Sequence, residues 1–289
     1  MDYRNHKGLT FVIKISGKVV GDEAALRLTV NQLIDLKTAG CHVILVHGGG
    51  DQLDEALDGR KIKYHKIDGV RFTTDQALPV VQECLSGLNR MILAMFEEEA
   101  RKRGSSLRAV GSDEINGRML VAQQKFPFSR TGTIKSVDAG AFYALVRDER
   151  VPIIHSVCLG SDGWYNVNAD EVAMPLAENL RADRLIFCSN TCMKGPRGEN
   201  LQSLSDRQID ELIANGTIHS GAVVKALACK SVVVNGSVKE VVVLNGRDGS
   251  LVKELNNDRT SGTHIFVEAP AGSGWQSVMG WLGRILSRG

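Results

Sequence analysis

The sequence predicts an α/β protein: a three-layer α/β/α sandwich around a mainly parallel central sheet. Apolar runs of strand length alternate with segments of helical periodicity along most of the chain. The first two strand-like runs are joined by one helical segment, so they form a βαβ unit and a parallel pair. The second run, residues 43–46, leads into three consecutive glycines, Gly48–Gly50, and helix-forming residues follow. Ligands of parallel sheets collect at such strand-to-helix turns.

Composition excludes several classes of protein. The chain has 289 residues, of which 43% are hydrophobic and 24% charged, which suits one large or two modest domains with a packed core. The net charge of +2 and the lack of a basic run argue against a nucleic-acid partner. No stretch approaches the roughly 20 apolar residues of a membrane span, and the N-terminus lacks the apolar core of a signal peptide. We therefore expect a cytoplasmic protein without a membrane partner.

The six cysteines are scattered among apolar neighbours, without CxxC pairs. This pattern indicates reduced, buried thiols. We expect no metal-binding residues.

The first strand, residues 10–15, contains one lysine, Lys14. Lysine is rarely buried without an anionic partner, so Lys14 requires a carboxylate or a ligand near the end of this strand. A helix at 22–39 follows and stops at Gly40. By itself the triple glycine is either a tight turn or a phosphate-binding loop. Because Lys14 and the glycines fall at the same edge of a parallel sheet, the phosphate interpretation is favoured.

The middle of the chain contains an arginine, Arg71, just after a turn at 68–69. Arg71 is either a solvated surface charge or a residue whose guanidinium group binds a substrate carboxylate through two parallel hydrogen bonds. Pattern then predicts one or two helices at 75–103, a strand at 107–110, a β-meander at 118–123 and 132–137, a helix at 139–147 and a strand at 151–155.

Residues 163–170 form the second informative stretch. If 165–168 are extended, Asn166 and Asn168 point to the same face. Asp170 lies where a helix would be capped, so it is either that cap or a site residue. Pro175 lies too deep for the first helical position, which predicts a late helix start or a kink.

The alternation resumes after a break near residue 180. We predict strands at 184–188, 231–234 and 240–244, and helices at 206–215 and 219–230. A connector rich in glycine, proline and serine begins at residue 269, and an apolar stripe at helical spacing follows it from 275.

Five motifs occur in a characteristic order: Lys14 before Ser16-Gly17, His47-Gly-Gly-Gly50, Gly69-Val-Arg71, Tyr165-Asn-Val-Asn-Ala-Asp170, and Ser220-Gly-Ala-Val-Val-Lys225. Together they resemble the amino acid kinase family, and within it the acetylglutamate kinases, over about residues 10–265. Neither a GxxxxGK[ST] P-loop nor a GxGxxG fingerprint is present.

The resemblance implies phosphorylation of the side-chain carboxylate of N-acetyl-L-glutamate by ATP with Mg²⁺, a step of arginine biosynthesis. It assigns roles as follows: Lys14 and Lys225 neutralise the transferred phosphoryl group, Asp170 holds the two lysines, Gly17, Gly48 and Gly49 bind phosphate, and Arg71, Asn166 and Asn168 bind the acyl amino acid. We place the domain boundary at the break near residue 180, which gives an acyl-amino-acid-binding lobe with the phosphoryl-transfer loops at 1–180 and a nucleotide-binding lobe at 181–268. The tail at 269–289, with its predicted amphipathic helix, lies beyond the resemblance.

The motifs depart from the family at several points: Ser16 replaces a glycine and Asn190 an aspartate. Two further hypotheses therefore stand beside the first. One is the same chemistry on a related carboxylate, such as aminoadipate or a carrier-bound glutamate, and the other is a regulatory nucleotide- or metabolite-binding protein with little turnover. The short segment before the first strand argues against a hexamer-forming helix, so a homodimer is expected.

Overall fold

The computed structural model describes residues 3–67, 69–116, 118–190, 192–219, 221–256 and 259–268. Its strands are β1 (Thr10–Ile15), β2 (His42–His47), β3 (His65–Ile67), β4 (Val70–Phe72), β5 (Arg108–Gly111), β6 (Leu120–Gln124), β7 (Thr131–Val137), β8 (Arg150–His155), β9 (Val157–Gly160), β10 (Gly163–Val167), β11 (Arg184–Ser189), β12 (Ser203–Ser205), β13 (Glu240–Asn245) and β14 (Gly262–Phe266). Its helices are α1 (Gly17–Val20), α2 (Glu23–Thr38), α3 (Gly50–Gly59), α4 (Leu78–Lys102), α5 (Ser112–Ile115), α6 (Ala139–Arg147), α7 (Ala169–Asn179), α8 (Asp206–Ala214), α9 (Gly221–Val234) and α10 (Ser250–Leu255).

Eight strands form the central sheet, in the order β12-β14-β13-β11-β1-β2-β8-β5. Every neighbouring pair is parallel except β13 and β14. Strands β10, β7, β6 and β9 close into a small barrel, and β3 and β4 form a hairpin. The predicted α/β class with a mainly parallel sheet is confirmed.

The sheet is covered on both faces because side chains alternate along each strand. Val12 and Ile44 point into one core, which helices α6, α7 and α9 share. Ile13 and Leu45 point into the other, with helices α2, α4 and α10. These are the three predicted layers. In the part of the chain that the structure describes, no helix is long and apolar enough to cross a membrane.

One predicted strand is wrong. Residues 231–234 form the last turn of α9 instead of a strand. Their β-branched valines favour strands because χ1 is stiff, but Val232 and Val233 are buried in the core that α9 shares with the sheet. Helix propensities differ by less than about 1 kcal/mol per residue, so this packing prevails. The segment at 75–103 is one helix, α4. Strands β3, β4, β9, β12 and β14 and the short helices α1, α5 and α10 were not predicted.

The predicted lobes share the central sheet. Strand β11, which follows residue 180, lies between β1 and β13 and pairs with both. The division into lobes at residue 180 stays a prediction. The predicted tail helix lies outside the described residues.

Candidate functional site

The site lies at the carboxyl edge of the central sheet. Strands β1 and β2 end side by side, with Ile15 paired to His47. Helices α1 and α3 begin directly after them, at Gly17 and Gly50. A Cβ added at Gly17 would lie 2.7 Å from the Gly50 nitrogen, so only glycine allows the two loops to come this close.

The glycine loop presents backbone amides. The Gly48 N–H already donates to the Ile15 carbonyl over 3.1 Å, so in this conformation it is used to extend the sheet. In α3 the first intrahelical bond runs from the Leu53 N–H to the Gly49 carbonyl. The amides of residues 50–52 therefore have no acceptor within their helix, and such a helix start attracts an anion.

A chain of three charged side chains lies beside these loops. Lys14 on β1 is 2.7 Å from one Asp170 oxygen, and Lys225 on α9 is 2.8 Å from the other. The side chains are only 10%, 17% and 17% exposed for Lys14, Asp170 and Lys225. Lys14 thus has the carboxylate that its place in an apolar strand required.

The charges within this triad depend on one another. Burial lowers the pKa of Lys14, and the nearby Lys225 ammonium lowers it further, although Asp170 opposes both effects. Burial also lowers the pKa of Lys225, but the Asp170 carboxylate outweighs it and the net shift is upward. Burial raises the pKa of Asp170, but the two ammonium groups bring it well below its ordinary value. Asp170 is therefore ionised at neutral pH.

Arg71, on strand β4, is buried. Its Nη2 donates to Asp54 of α3 and, over 3.4 Å, to the Gly50 carbonyl. Its guanidinium carbon lies 4.3 Å from the centre of the Tyr64 ring. The Arg71 Nη1 is buried and has no hydrogen-bond partner. This burial excludes the interpretation of Arg71 as a solvated surface charge, and a buried donor without a partner suits an anionic ligand.

Asn166 is tied to the strand that carries Arg71. Its Nδ2 donates to Thr73 Oγ1 over 2.9 Å. The Thr73 N–H in turn donates to Thr131 Oγ1, whose hydroxyl donates to the Arg71 carbonyl over 3.0 Å. The structure thus brings Asn166 and Arg71 into one hydrogen-bonded group, and their shared role in binding an acyl amino acid stays a prediction.

Helix α7 begins earlier than the sequence suggested. Asn168 is the N-cap, and its side-chain oxygen accepts from the Asp170 N–H over 3.0 Å. The predicted late start is wrong, because Pro175 lies inside a helix that already begins at Ala169. Asp170 is not the cap, so its side chain is available to the lysines. A cavity of about 430 Å³ opens there, lined by Thr133, Asn168, Asp170, Glu171, Met174, Pro175, Lys225, Leu227, Ala228 and Ser231.

Sequence reasoning missed several side chains that hold the site together. Asp54 pairs with Arg71, and Thr73 holds Asn166. Gln52 Nε2 donates to the Gly17 carbonyl and so joins the two loops. Asn89, in the middle of α4, contacts His47. Only Asn89 carried a detectable signal, because it is a polar residue on the apolar face of a long helix.

Another charged cluster lies apart from this site. Glu240, Glu254 and His264 could each offer a ligand atom to a metal, within 4.8 Å of one another. Arg184 pairs with both carboxylates and Arg259 with Glu240, however. Burial lowers the pKa of His264, but hydrogen bonds to the two glutamates raise it to about 9. A protonated histidine among arginine-paired carboxylates is an ion-pair network and suits no metal.

The chain is similar to several known proteins. An acetylglutamate kinase of Stutzerimonas stutzeri (strain A1501) is 31% identical over 277 residues, which cover 91% of each chain. Among solved structures, N-acetylglutamate synthase from Neisseria gonorrhoeae, complexed with coenzyme A and N-acetyl-glutamate, superposes with a TM-score of 0.79 at 23% identity. That match covers 99% of this chain and 67% of the synthase chain.

Carbamate kinase from Giardia lamblia, bound to AMP-PNP, superposes with a TM-score of 0.64 at 15% identity, over 90% of this chain and 99% of its own. Both structural matches concern the fold alone. The model described as the amino acid kinase family matches residues 10–245, most of the chain. The resemblance seen in the sequence motifs is confirmed, and the chain belongs to the amino acid kinase family.

Proposed function

We propose that the chain is an ATP-dependent kinase that phosphorylates the side-chain carboxylate of an N-acyl amino acid, with N-acetyl-L-glutamate as its substrate. The observation that carries this proposal is the buried triad of Lys14, Asp170 and Lys225 beside the glycine loops. The 31% sequence identity of the chain to an acetylglutamate kinase supports the choice of substrate.

The charge of the triad favours an anionic ligand. Two ammonium groups and one carboxylate carry a net charge of one positive unit, and the three side chains are largely buried. A buried charge without compensation is costly, so this place is suited to a transferred phosphoryl group. The amides at the start of α3 point to the same requirement.

The residues proposed to bind the acceptor substrate also favour an anion. The Arg71 Nη1 is buried without a partner, and Asn166 is joined to the Arg71 strand through Thr73 and Thr131. In the proposed complex these two side chains bind the amide and the carboxylate that does not react. Both of these groups lie away from the reacting side-chain carboxylate. Because their contacts do not change during the reaction, they contribute binding and orientation.

Magnesium fits this site as a partner of the nucleotide. Both Asp170 oxygens are already paired with lysines at 2.7 and 2.8 Å, which makes this carboxylate a poor metal ligand. Mg²⁺ is commonly held by substrate phosphates and water, and when bound it neutralises phosphate charge. We therefore assign no protein ligand to it among the described residues.

The residues of this chain supply alignment and charge stabilisation. A carboxylate acceptor is ionised at pH 7 and needs no general base. Phosphoryl transfer depends on positioning and on neutralising charge at the transferred group. Lys14 and Lys225 provide that charge, and Asp170 keeps both ammonium groups in place before the substrates arrive.

The test is a hydroxylamine trap. Purified protein with Mg·ATP and N-acetyl-L-glutamate should form an acyl phosphate, which hydroxylamine converts to a hydroxamate. Glutamate, aspartate and aminoadipate serve as comparison acceptors. Product from aminoadipate alone would move the substrate but keep the chemistry. If the protein binds ATP and forms no hydroxamate with any acceptor, the kinase proposal is wrong.

A further inference from the structure

We infer that Asn89 and His47 are positioning residues that set the direction of the Gly49 amide toward the transferred phosphoryl group. This inference rests on the proposed function. It concerns a hydrogen-bonded chain that begins in α4, outside the substrate-binding residues, and ends in the glycine loop.

The orientation of the Asn89 amide is fixed by backbone groups. Its Nδ2 donates to the Ile153 carbonyl over 2.9 Å, and a carbonyl can only accept. Its Oδ1 accepts from the Ser112 N–H over 3.3 Å, and an N–H can only donate. Asn89 is 4% exposed, so water does not compete for these bonds. It thereby ties α4 to the carboxyl ends of β5 and β8.

The tautomer of His47 follows from that orientation. Asn89 Nδ2 also lies 3.0 Å from His47 Nε2. Since Nδ2 is a donor, Nε2 must be the unprotonated nitrogen, and the neutral ring carries its hydrogen on Nδ1. His47 is fully buried, and burial, together with the smaller effect of His155, lowers its pKa to about 3. The ring therefore stays neutral at working pH and keeps this tautomer.

The His47 Nδ1–H in turn holds one peptide group of the loop. Nδ1 lies 3.1 Å from the Gly48 carbonyl oxygen and donates to it. The peptide between Gly48 and Gly49 is planar and trans, so its C=O and N–H point in opposite directions. Fixing the carbonyl toward the buried ring fixes the Gly49 N–H away from it. Because the Gly48 N–H is used within the sheet, the Gly49 amide is the one that this arrangement presents to a ligand.

Packing restricts the loop in the same place. A Cβ on Gly49 would lie 2.7 Å from Leu88 and 2.9 Å from Leu85, both on α4. The helix that supplies Asn89 therefore also contacts the residue whose amide is oriented. Glycine has wide backbone freedom, and without the His47 bond the peptide could rotate and lose the alignment.

Kinetics test the role of His47. His47→Phe removes both ring nitrogens but keeps a planar ring. It should lower kcat about 10- to 100-fold, which is no more than the decrease in kcat caused by removing one oxyanion-type donor. The KM for the acyl amino acid should change less than about twofold, because Arg71 and Asn166 are untouched. In His47→Asn the amide Nδ2 can replace the Nδ1–H donor, and most of the kcat should return. Equal loss in both variants, at equal thermal stability, would overturn the inference.

An NMR experiment tests the hydrogen-bonded chain independently of the kinase proposal. In protein labelled with ¹⁵N-histidine, the His47 signal is the one that disappears in His47→Phe. Its shifts should show protonated Nδ1 and unprotonated Nε2 in the wild type, with Nε2 accepting a hydrogen bond. Asn89→Leu removes the donor to Nε2 and should move the Nε2 shift to that of an imidazole nitrogen without a hydrogen bond. An unchanged Nε2 shift in the leucine variant would show that Asn89 does not hold the ring. Correct tautomers without acyl phosphate formation would reject the proposed function and leave the hydrogen-bonded chain intact.

Discussion

Replacing Asp170 by asparagine removes a carboxylate that lies between two buried ammonium groups, at 2.7 Å from Lys14 and 2.8 Å from Lys225. At an effective dielectric constant of about 20, each attraction amounts to about 6 kcal/mol before solvation is counted. The carboxylate no longer has to be desolvated, which offsets much of this loss. The net decrease in the free energy of unfolding should be about 3–5 kcal/mol at pH 7, the range for removing one partner of a buried pair.

The pH dependence has a definite sign. The pKa of Asp170 is lowered in the folded protein, so its contribution is present above the unfolded value of about 3.9 and is lost only as the pH falls through the lower folded value. In the variant, both lysines lose their carboxylate and their pKa values fall. Above those lowered values the unfolded chain binds more protons than the folded chain, up to about pH 10.4. The stability deficit should therefore shrink between pH 7 and pH 9.

Urea unfolding at pH 7 and pH 9, followed by tryptophan fluorescence, measures both effects. Asp210→Asn is the matched control, because Asp210 pairs with Lys230 on the same helix as Lys225 but is 58% exposed. An exposed pair contributes at most about 1 kcal/mol. The reasoning is refuted if Asp170→Asn costs no more than the control, or if its deficit is the same at both pH values.

Three further changes test individual side chains. Lys225→Met should lower kcat about 10²–10³-fold, the scale of one preorganised electrostatic partner, whereas Lys230→Met on the same helix should leave it unchanged; steady-state rates of ADP release decide this. Arg71→Ala should mainly raise the KM for the acyl amino acid, because it holds a part of the substrate that does not react; a large fall in kcat at constant KM would contradict that role, and the exposed Arg60→Ala is its control. Asn190→Asp, at an exposed position after β11, should tighten Mg·ATP binding in calorimetry by restoring the charge that the family resemblance implies there; unchanged affinity would mean that this loop serves another purpose.

Sequence reasoning succeeded where a residue conflicts with its own neighbours. Lys14 is a charge inside an apolar strand, and that conflict predicted a nearby anion, which the structure supplies as Asp170. The glycines after β2 gave a similar local signal, and Gly17 and Gly49 do allow close packing that no Cβ would permit. The pairing of Lys225 with Asp170, by contrast, could be predicted only from the family motifs. A pair 55 residues apart leaves no trace in local periodicity.

Sequence reasoning failed where distant packing decides. The valines after Ser231 have the local preference of a strand, and only the burial of Val232 and Val233 in the core that α9 shares with the sheet makes this segment helical. Asp54 lies in a segment for which the sequence indicated only a helix, and its pairing with Arg71 depends on how the β3–β4 hairpin packs.

The rule that a polar residue in an apolar segment needs a polar partner, used above for Lys14, also applies to Asn89. It occupies the apolar face of α4, between Leu85 and Ile92, both fully buried. A buried amide needs partners as much as a buried ammonium does, so its position alone predicts hydrogen bonds to whatever α4 covers. Because α4 covers the carboxyl ends of β2, β5 and β8, those partners had to be groups at the edge where parallel sheets bind ligands. A polar residue on the buried face of a helix over that edge is therefore a candidate for positioning the site.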